Sequence, residues 1–121
     1  MSATILVLDD DLYMRELLSL HLCGAGYEVL VAEDAIVAGP LLLERRIDLL
    51  IADIEMPFMD GLDLVQAMRK DPAVSSMPVI FVTAHAEHER RARALGAVGF
   101  LTKPVRSDEL LAMVAKHVRQ A

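Results

Sequence analysis

Apolar residues in this chain come in short continuous runs, separated by stretches where they recur every three or four positions. The first run, Ile5-Leu6-Val7-Leu8, closes on Asp9-Asp10-Asp11. Such a run predicts a strand buried on both faces, as in a parallel sheet. Met14, Leu17, Leu18, Leu22 and Ala25 then recur at helical spacing, and Gly24 and Gly26 stop that helix. Tyr27-Glu28-Val29-Leu30-Val31 reads as a second strand, and residues 34 to 46 as a second helix. Gly39-Pro40 interrupts this helix, and an interior proline removes a hydrogen bond and crowds the preceding turn. A kink or a late start is expected there. Leu49-Leu50-Ile51-Ala52 is a third strand ending on Asp53, and a helix follows from Leu62 to Lys70, closed by Asp71-Pro72. Pro78 to Val82 is the fourth strand, ending on Thr83; an Arg-rich helix follows, terminated by Gly96. Gly99-Phe100-Leu101-Thr102 is a fifth strand, ending at Lys103-Pro104. The last helix starts near Ser107, a candidate N-cap, with Leu111, Val114, Ala115 and Val118 as its buried stripe.

Strand and helix alternate five times, which implies right-handed crossovers and a parallel sheet covered on both faces. No long linker, repeat or low-complexity stretch interrupts the pattern, so one domain is expected over residues 1–121. Composition narrows the picture. Hydrophobic residues make up 55% of the 121 and aromatics 4%, with no Trp, so the core is aliphatic. A net charge of −6 argues against direct contact with nucleic acid, which needs a surplus of Lys and Arg. The single cysteine, Cys23, falls in an apolar helical pattern and reads as a buried thiol. No apolar segment is long enough to span a bilayer, and no basic segment leads a signal-like run, so a cytoplasmic location without membrane association is expected.

In an open parallel sheet, ligands bind beyond the carboxyl ends of the strands. Strand one ends on Asp9 and Asp10, strand three on Asp53, strand four on Thr83 and strand five on Lys103. Convergence of these ends places three carboxylates, a hydroxyl and an ammonium in one cleft. Crowded carboxylates repel one another, and a hard divalent cation such as Mg²⁺ offsets that repulsion. Such a set suits phosphoryl transfer, where positioning and charge neutralisation do most of the work. Asp53 is the expected nucleophile, Asp9 and Asp10 the metal-holding pair, and Thr83 and Lys103 the groups that receive phosphoryl oxygens.

Each residue taken singly has a plainer explanation. Asp11 caps the first helix, Thr83 ends a strand, Lys103-Pro104 is an exposed turn and Asp53 could cap a loop. Joint placement at adjacent strand ends is what favours the chemical reading. His85 and His88 are three apart, but no neighbouring acidic or cysteine residue completes a usual zinc pattern. The seven methionines read as core filling.

The whole chain resembles the receiver domain of response regulators, of the single chemotaxis type. Ile5 to Asp11 is similar to that family's first strand and acidic pair, and Asp53-Ile54-Glu55-Met56-Pro57-Phe58-Met59-Asp60-Gly61 to its phosphorylation loop. Val82-Thr83-Ala84 and Lys103-Pro104 resemble its remaining signatures. The resemblance implies a flavodoxin-like doubly wound α/β fold, strand order 2-1-3-4-5, with five helices on two faces. It implies that Asp53 accepts a phosphoryl group from the phosphohistidine of a sensor histidine kinase or phosphotransfer protein. Asp9, Asp10, Asp53 and the backbone carbonyl of Glu55 would hold Mg²⁺. Thr83 and Phe100 would be switch residues, and the face of helix four, strand five and helix five would change partners. The output would be a fused effector domain, a separate target protein or a homodimer through that face. The domain would assist its own phosphorylation and dephosphorylation without acting as an enzyme on free metabolites.

The chain departs from the family pattern at Phe100, where tyrosine is frequent and supplies a hydroxyl that Phe lacks. Glu55 and His85 occupy the variable positions after Asp53 and Thr83 and are expected to tune how water reaches the phosphoryl group. The stretch from Thr83 to Gly96 looks short, predicting a shortened helix four. Three competing functions stand beside the switch. An aspartyl-phosphate phosphatase would carry its nucleophile motif after strand one, and that motif is lacking here. A purely structural interaction module would not need the intact acidic set. A flavin-binding protein of this topology would need a phosphate-cradling loop where Asp9-Asp10-Asp11 stands.

Overall fold

The computed structural model describes residues 2–119; Met1, Gln120 and Ala121, included in the single-domain expectation, lie outside the described residues. Five strands, β1 (Thr4–Leu8), β2 (Glu28–Ala32), β3 (Leu49–Ala52), β4 (Val79–Thr83) and β5 (Gly99–Thr102), form one parallel sheet in the order β2-β1-β3-β4-β5. The helices are α1 (Leu12–Gly24), α2 (Ala35–Glu44), α3 (Gly61–Arg69), α4 (Glu89–Ala94) and α5 (Ser107–His117). The expected flavodoxin-like α/β architecture and strand order are those observed.

The apolar runs of the sequence are the inner strands. β1, β3 and β4 are buried along nearly their whole length because alternate side chains feed two separate cores. Ile5, Val7, Leu49, Ile51, Ile80 and Val82 face α1 and α5, meeting Met14, Leu18, Leu22, Leu110 and Val114. Leu6, Leu8, Leu50, Ala52, Val79 and Phe81 face α2, α3 and α4, meeting Ala38, Leu42, Leu62, Val65, Met68 and Ala92. β2 is an edge strand, and accordingly Glu28 and Val31 are exposed.

Several local expectations need correction. Cys23 is exposed, not buried, because the buried stripe of α1 is Met14, Leu18 and Leu22, and Cys23 lies one position round the helix from it. Ala25 is the exposed C-cap of α1, not part of its stripe. α2 starts at Ala35 and runs through Pro40 instead of starting late. The Asp34 carboxylate accepts a hydrogen bond from Val37 N (3.1 Å), which fixes the first turn before the proline is reached. The residue before α5 is Arg106, with no side-chain cap, and Ser107 is the first helical residue. Ala115 is exposed and Leu110 is buried in its stead, with Val114. α4 is short, six residues preceded by a single 3-10 turn at Ala86–His88, as the spacing predicts.

Candidate functional site: an acidic cleft at the strand ends

The carboxyl ends of β1, β3, β4 and β5 are adjacent in the sheet, so the residues that follow them are neighbours in space. Hydrogen bonds along the sheet edge fix their positions. Asp53 N donates to Leu8 O (2.8 Å), Asp9 N to Ala32 O (3.1 Å) and Lys103 N to Thr83 O (2.8 Å). Asp9, Asp53 and Thr83 are buried while Asp10 is exposed at the rim. Asp9, Asp10 and Asp53 each offer a carboxylate oxygen, and those oxygens lie within 4.8 Å of one another. Lys103 Nζ reaches into the group, 3.1 Å from Asp9 Oδ2 and 3.2 Å from Asp53 Oδ2.

The carboxylates are held by the start of their own loops. Asp9 Oδ1 accepts from Asp11 N (2.9 Å), and Arg15 Nη1 donates to the Asp9 carbonyl (2.7 Å). Asp53 Oδ1 accepts from Ile54 N (2.7 Å). Asp11 itself points away and caps α1 through Tyr13 N (2.9 Å), the plainer of its two roles. Asp9 Oδ2 is buried and close to Lys103, yet off the direction of any hydrogen bond. An oxygen left in that condition is a natural ligand for a cation, and a set of three carboxylate oxygens is a hard-donor set that fits Mg²⁺.

Electrostatics in the cleft are opposed. Burial pushes the Asp53 carboxyl above its ordinary value of 3.8, the Asp9 charge adds to that push, and Lys103 with the Ile54 amide pulls against it without winning. Burial alone would lower Lys103, but its contacts with Asp9 and Asp53 prevail and hold it above 10.5. Lys103 is therefore an ammonium throughout the physiological range.

Gly61, the first residue of α3, explains how the loop after Asp53 closes. Its amide donates to Ile54 O (2.8 Å), and a Cβ there would fall on the carbonyl oxygen of Asp53, 3.1 Å from its carbonyl carbon. Only glycine lets the helix start so close to the site. Asp60 caps α3 through Asp63 N (2.8 Å).

The other expected residues lie at differing distances from this centre. Thr83 is fully buried, and its hydroxyl accepts from His85 N (3.3 Å). Phe100 pairs with Phe81 across β4 and β5 and packs half-buried against the core under α2, α3 and α4. Glu55 and His85 meet: His85 Nε2 is 3.1 Å from Glu55 Oε2. His88 joins them, its Nε2 3.6 Å from Glu55 Oε1. Sequence spacing missed this acidic partner because Glu55 comes from the β3–α3 loop and the histidines from the β4–α4 segment. Arg15, which grips the Asp9 carbonyl, had no signal in the sequence beyond its helical position.

Comparison with known proteins gives a uniform answer. The family model described as the response regulator receiver domain matches residues 5–115. The chain is 33% identical over 119 residues to the phosphate regulon transcriptional regulatory protein PhoB of Pseudomonas aeruginosa, covering 97% of this chain and 52% of that one. It is 35% identical over 119 residues to the transcriptional regulatory protein FixJ of Bradyrhizobium diazoefficiens, covering 97% and 57%. The chain thus spans about half the length of these curated relatives. Among solved structures, the chemotaxis response regulator CheY4 of Vibrio cholerae superposes with a TM-score of 0.90 at 32% identity, covering 98% of this chain and 100% of that one. The response regulator TrrA of Thermotoga maritima, solved in complex with Mg²⁺-BeF, superposes with a TM-score of 0.87 at 33% identity, covering 96% and 99%. With the strand order, the acidic strand ends and the matched residues all in agreement, the chain belongs to the response regulator receiver domain family of two-component signalling.

Proposed function

We propose that this domain is a phosphorylation-controlled switch in which Asp53 accepts a phosphoryl group from the phosphohistidine of a sensor kinase or phosphotransfer protein in the cytoplasm. The observation that carries the reading is the meeting of the Asp9, Asp10 and Asp53 carboxylates, with Lys103 Nζ 3.1 Å from Asp9 and 3.2 Å from Asp53. Asp9, Asp10, Asp53 and the Glu55 carbonyl would hold Mg²⁺. Bound there, Mg²⁺ supplies positive charge to the transferring phosphoryl oxygens and relieves the repulsion among the carboxylates.

An Asp53 carboxylate oxygen forms the new P–O bond as the donor's P–N bond breaks, and the imidazole nitrogen leaves with the electron pair. Lys103, held as an ammonium between Asp9 and Asp53, turns one N–H toward the incoming phosphoryl oxygens. Thr83, whose hydroxyl accepts the His85 amide, offers its O–H to the same group. Phe100 lies two strand positions before Thr102, the partner of Thr83, and so on the same face of β5, and it transmits the change to the face built by α4, β5 and α5. Glu55 and His85 at the mouth set how water reaches the acyl phosphate. That the response regulator TrrA, similar to this chain, was solved in complex with Mg²⁺-BeF supports the reading that this fold takes up a metal. In this reading the domain serves as a phosphoacceptor that assists its own phosphorylation and dephosphorylation, not as an enzyme on free metabolites. The output is an attached effector, a separate target or a second copy meeting the α4–β5–α5 face; the regulators it resembles are about twice its length.

Incubation with acetyl phosphate and Mg²⁺, followed by intact-mass measurement, tests the proposal. A labile phosphoryl adduct is expected on the wild type, absent from Asp53→Asn and abolished by EDTA. Equal labelling of the variant, or labelling without metal, overturns it.

A further inference from the structure

Two histidines and two carboxylates meet at the mouth of the cleft, outside the acidic centre. His85 Nε2 and His88 Nε2 each address one oxygen of the same carboxylate, Glu55 Oε2 at 3.1 Å and Oε1 at 3.6 Å. The rings stand edge to face with centroids 6.3 Å apart. On the far side of His85, Nδ1 lies 3.5 Å from Glu87 Oε1. Two imidazoles and a carboxylate, carried by two separate loops, are thus gathered at one place on the cleft mouth.

We infer that Glu55, His85 and His88 form a binding site for a borderline divalent transition ion of the Zn²⁺ class. Imidazole nitrogen favours such ions over Mg²⁺, which prefers the all-oxygen set of Asp9, Asp10 and Asp53. Two histidines and a glutamate are also a donor set that leaves an open coordination position. Glu87 supplies the carboxylate behind a ligating histidine that fixes its tautomer and strengthens it as a donor. The ligand atoms do not yet converge on one point. Side chains of Glu55, His85 and His88 are 56%, 45% and 31% exposed, so the rotations that convergence requires would not disturb the core. Occupied, the site staples the β3–α3 loop to the 3-10 turn at Ala86–His88, across the entrance to the Asp53 cleft.

Co²⁺ and then Zn²⁺ are titrated into the full chain in a large excess of Mg²⁺, following visible absorption and calorimetric stoichiometry. One ion per chain is expected for the wild type and for Asp10→Asn, with binding lost in His85→Ala and in His88→Ala. Glu87→Gln is expected to weaken binding roughly tenfold. Zn²⁺ is expected to slow amide exchange of residues 86 to 89 in the wild type and not in His88→Ala. Binding that survives both histidine variants, or vanishes in Asp10→Asn, overturns the site; binding without slowed exchange overturns the staple. If no ion binds, the inference fails. Neither readout involves phosphoryl transfer, so either result leaves the assignment of Asp53 standing or falling on its own test.

Discussion

Replacing Lys103 with methionine removes the one ammonium between two buried carboxylates while keeping a side chain of similar length. Asp9 and Asp53 are 1% and 6% exposed, and Lys103 Nζ sits 3.1 and 3.2 Å from them. At an effective dielectric of about 20, each contact carries on the order of 5 kcal/mol of attraction. Desolvation of the charges cancels much of this, and removing one partner from a buried pair costs about 3 kcal/mol. For a chain of this size that is a fall of about 12 °C in Tm. The sign with pH follows from Asp53. Its carboxyl already lies above 3.8 through burial and Asp9, against the pull of Lys103, and without Lys103 it rises further. A raised carboxyl means the native state binds protons that the unfolded chain releases, so stability falls as pH climbs from 3.8 through the native value. The variant's deficit is therefore small in acid and full at pH 7, and Asp53→Asn on the same background restores most of it. Urea unfolding across pH, in the presence of a chelator, reads this directly. A deficit of the same size in acid as at neutrality would refute the reasoning, because it would assign the loss to packing of the lysine stem.

Gly61→Ala sets a Cβ on the backbone of Asp53 and is expected to cost about 3 kcal/mol in urea unfolding. Gly99→Ala is the control: its Cβ meets the Met113 sulfur, a flexible end, and a cost of about 1 kcal/mol or less is expected. Equal costs would deny that the Gly61 contact is tighter. Arg69, half-buried, donates Nε to Leu95 O (2.9 Å) and Nη1 to Ser75 O (3.1 Å) and Met77 O (2.7 Å). Arg69→Met leaves those carbonyls without their donor, and a loss of about 2 kcal/mol is expected; a loss under about 0.5 kcal/mol would mean water replaces the guanidinium at no cost.

The sheet was legible because its inner strands are buried on both faces, and that burial writes itself as unbroken apolar runs such as Leu49 to Ala52. The edge strand was read one residue early, since Glu28 and Val31 carry no such signature. The cleft was legible because strand ends are fixed by those same runs, so Asp9, Asp53, Thr83 and Lys103 could be placed without knowing any contact. Cys23 was misread because periodicity locates a helix better than it locates which side of the apolar stripe a residue falls on. Ser107 was misread because a serine beside a helix start is as able to be its first residue as its cap. The Glu55–His85–His88 cluster was illegible for a different reason: its members belong to two loops, and loop side chains follow no period.

How a charge at Asp53 would reach the α4 face depends on which links are stiff. Lys103 N–H to Thr83 O at 2.8 Å ties the ends of β4 and β5 together, and it belongs to the ladder that keeps Thr83 opposite Thr102. The His85 N–H to Thr83 Oγ1 contact, at 3.3 Å, is long and weak. A Thr83 hydroxyl drawn to a phosphoryl oxygen would give up the weak link and keep the strong one. The release falls on the 3-10 turn at Ala86–His88, because the far end of α4 is held by Arg69 on Leu95 and its middle by Arg91 on Asp63 (2.8 Å) and Gln66 (3.1 Å). Amide exchange in the acyl-phosphate form, or with a beryllofluoride mimic, should therefore quicken across residues 84 to 89 and stay unchanged at 95 to 98. Thr83→Val, which cannot make the trade, should show no quickening at 84 to 89 while Asp53 still takes up phosphoryl. Quickening at both ends of α4 would mean that the helix moves as one body, and that the Arg69 anchor does not decide where it bends.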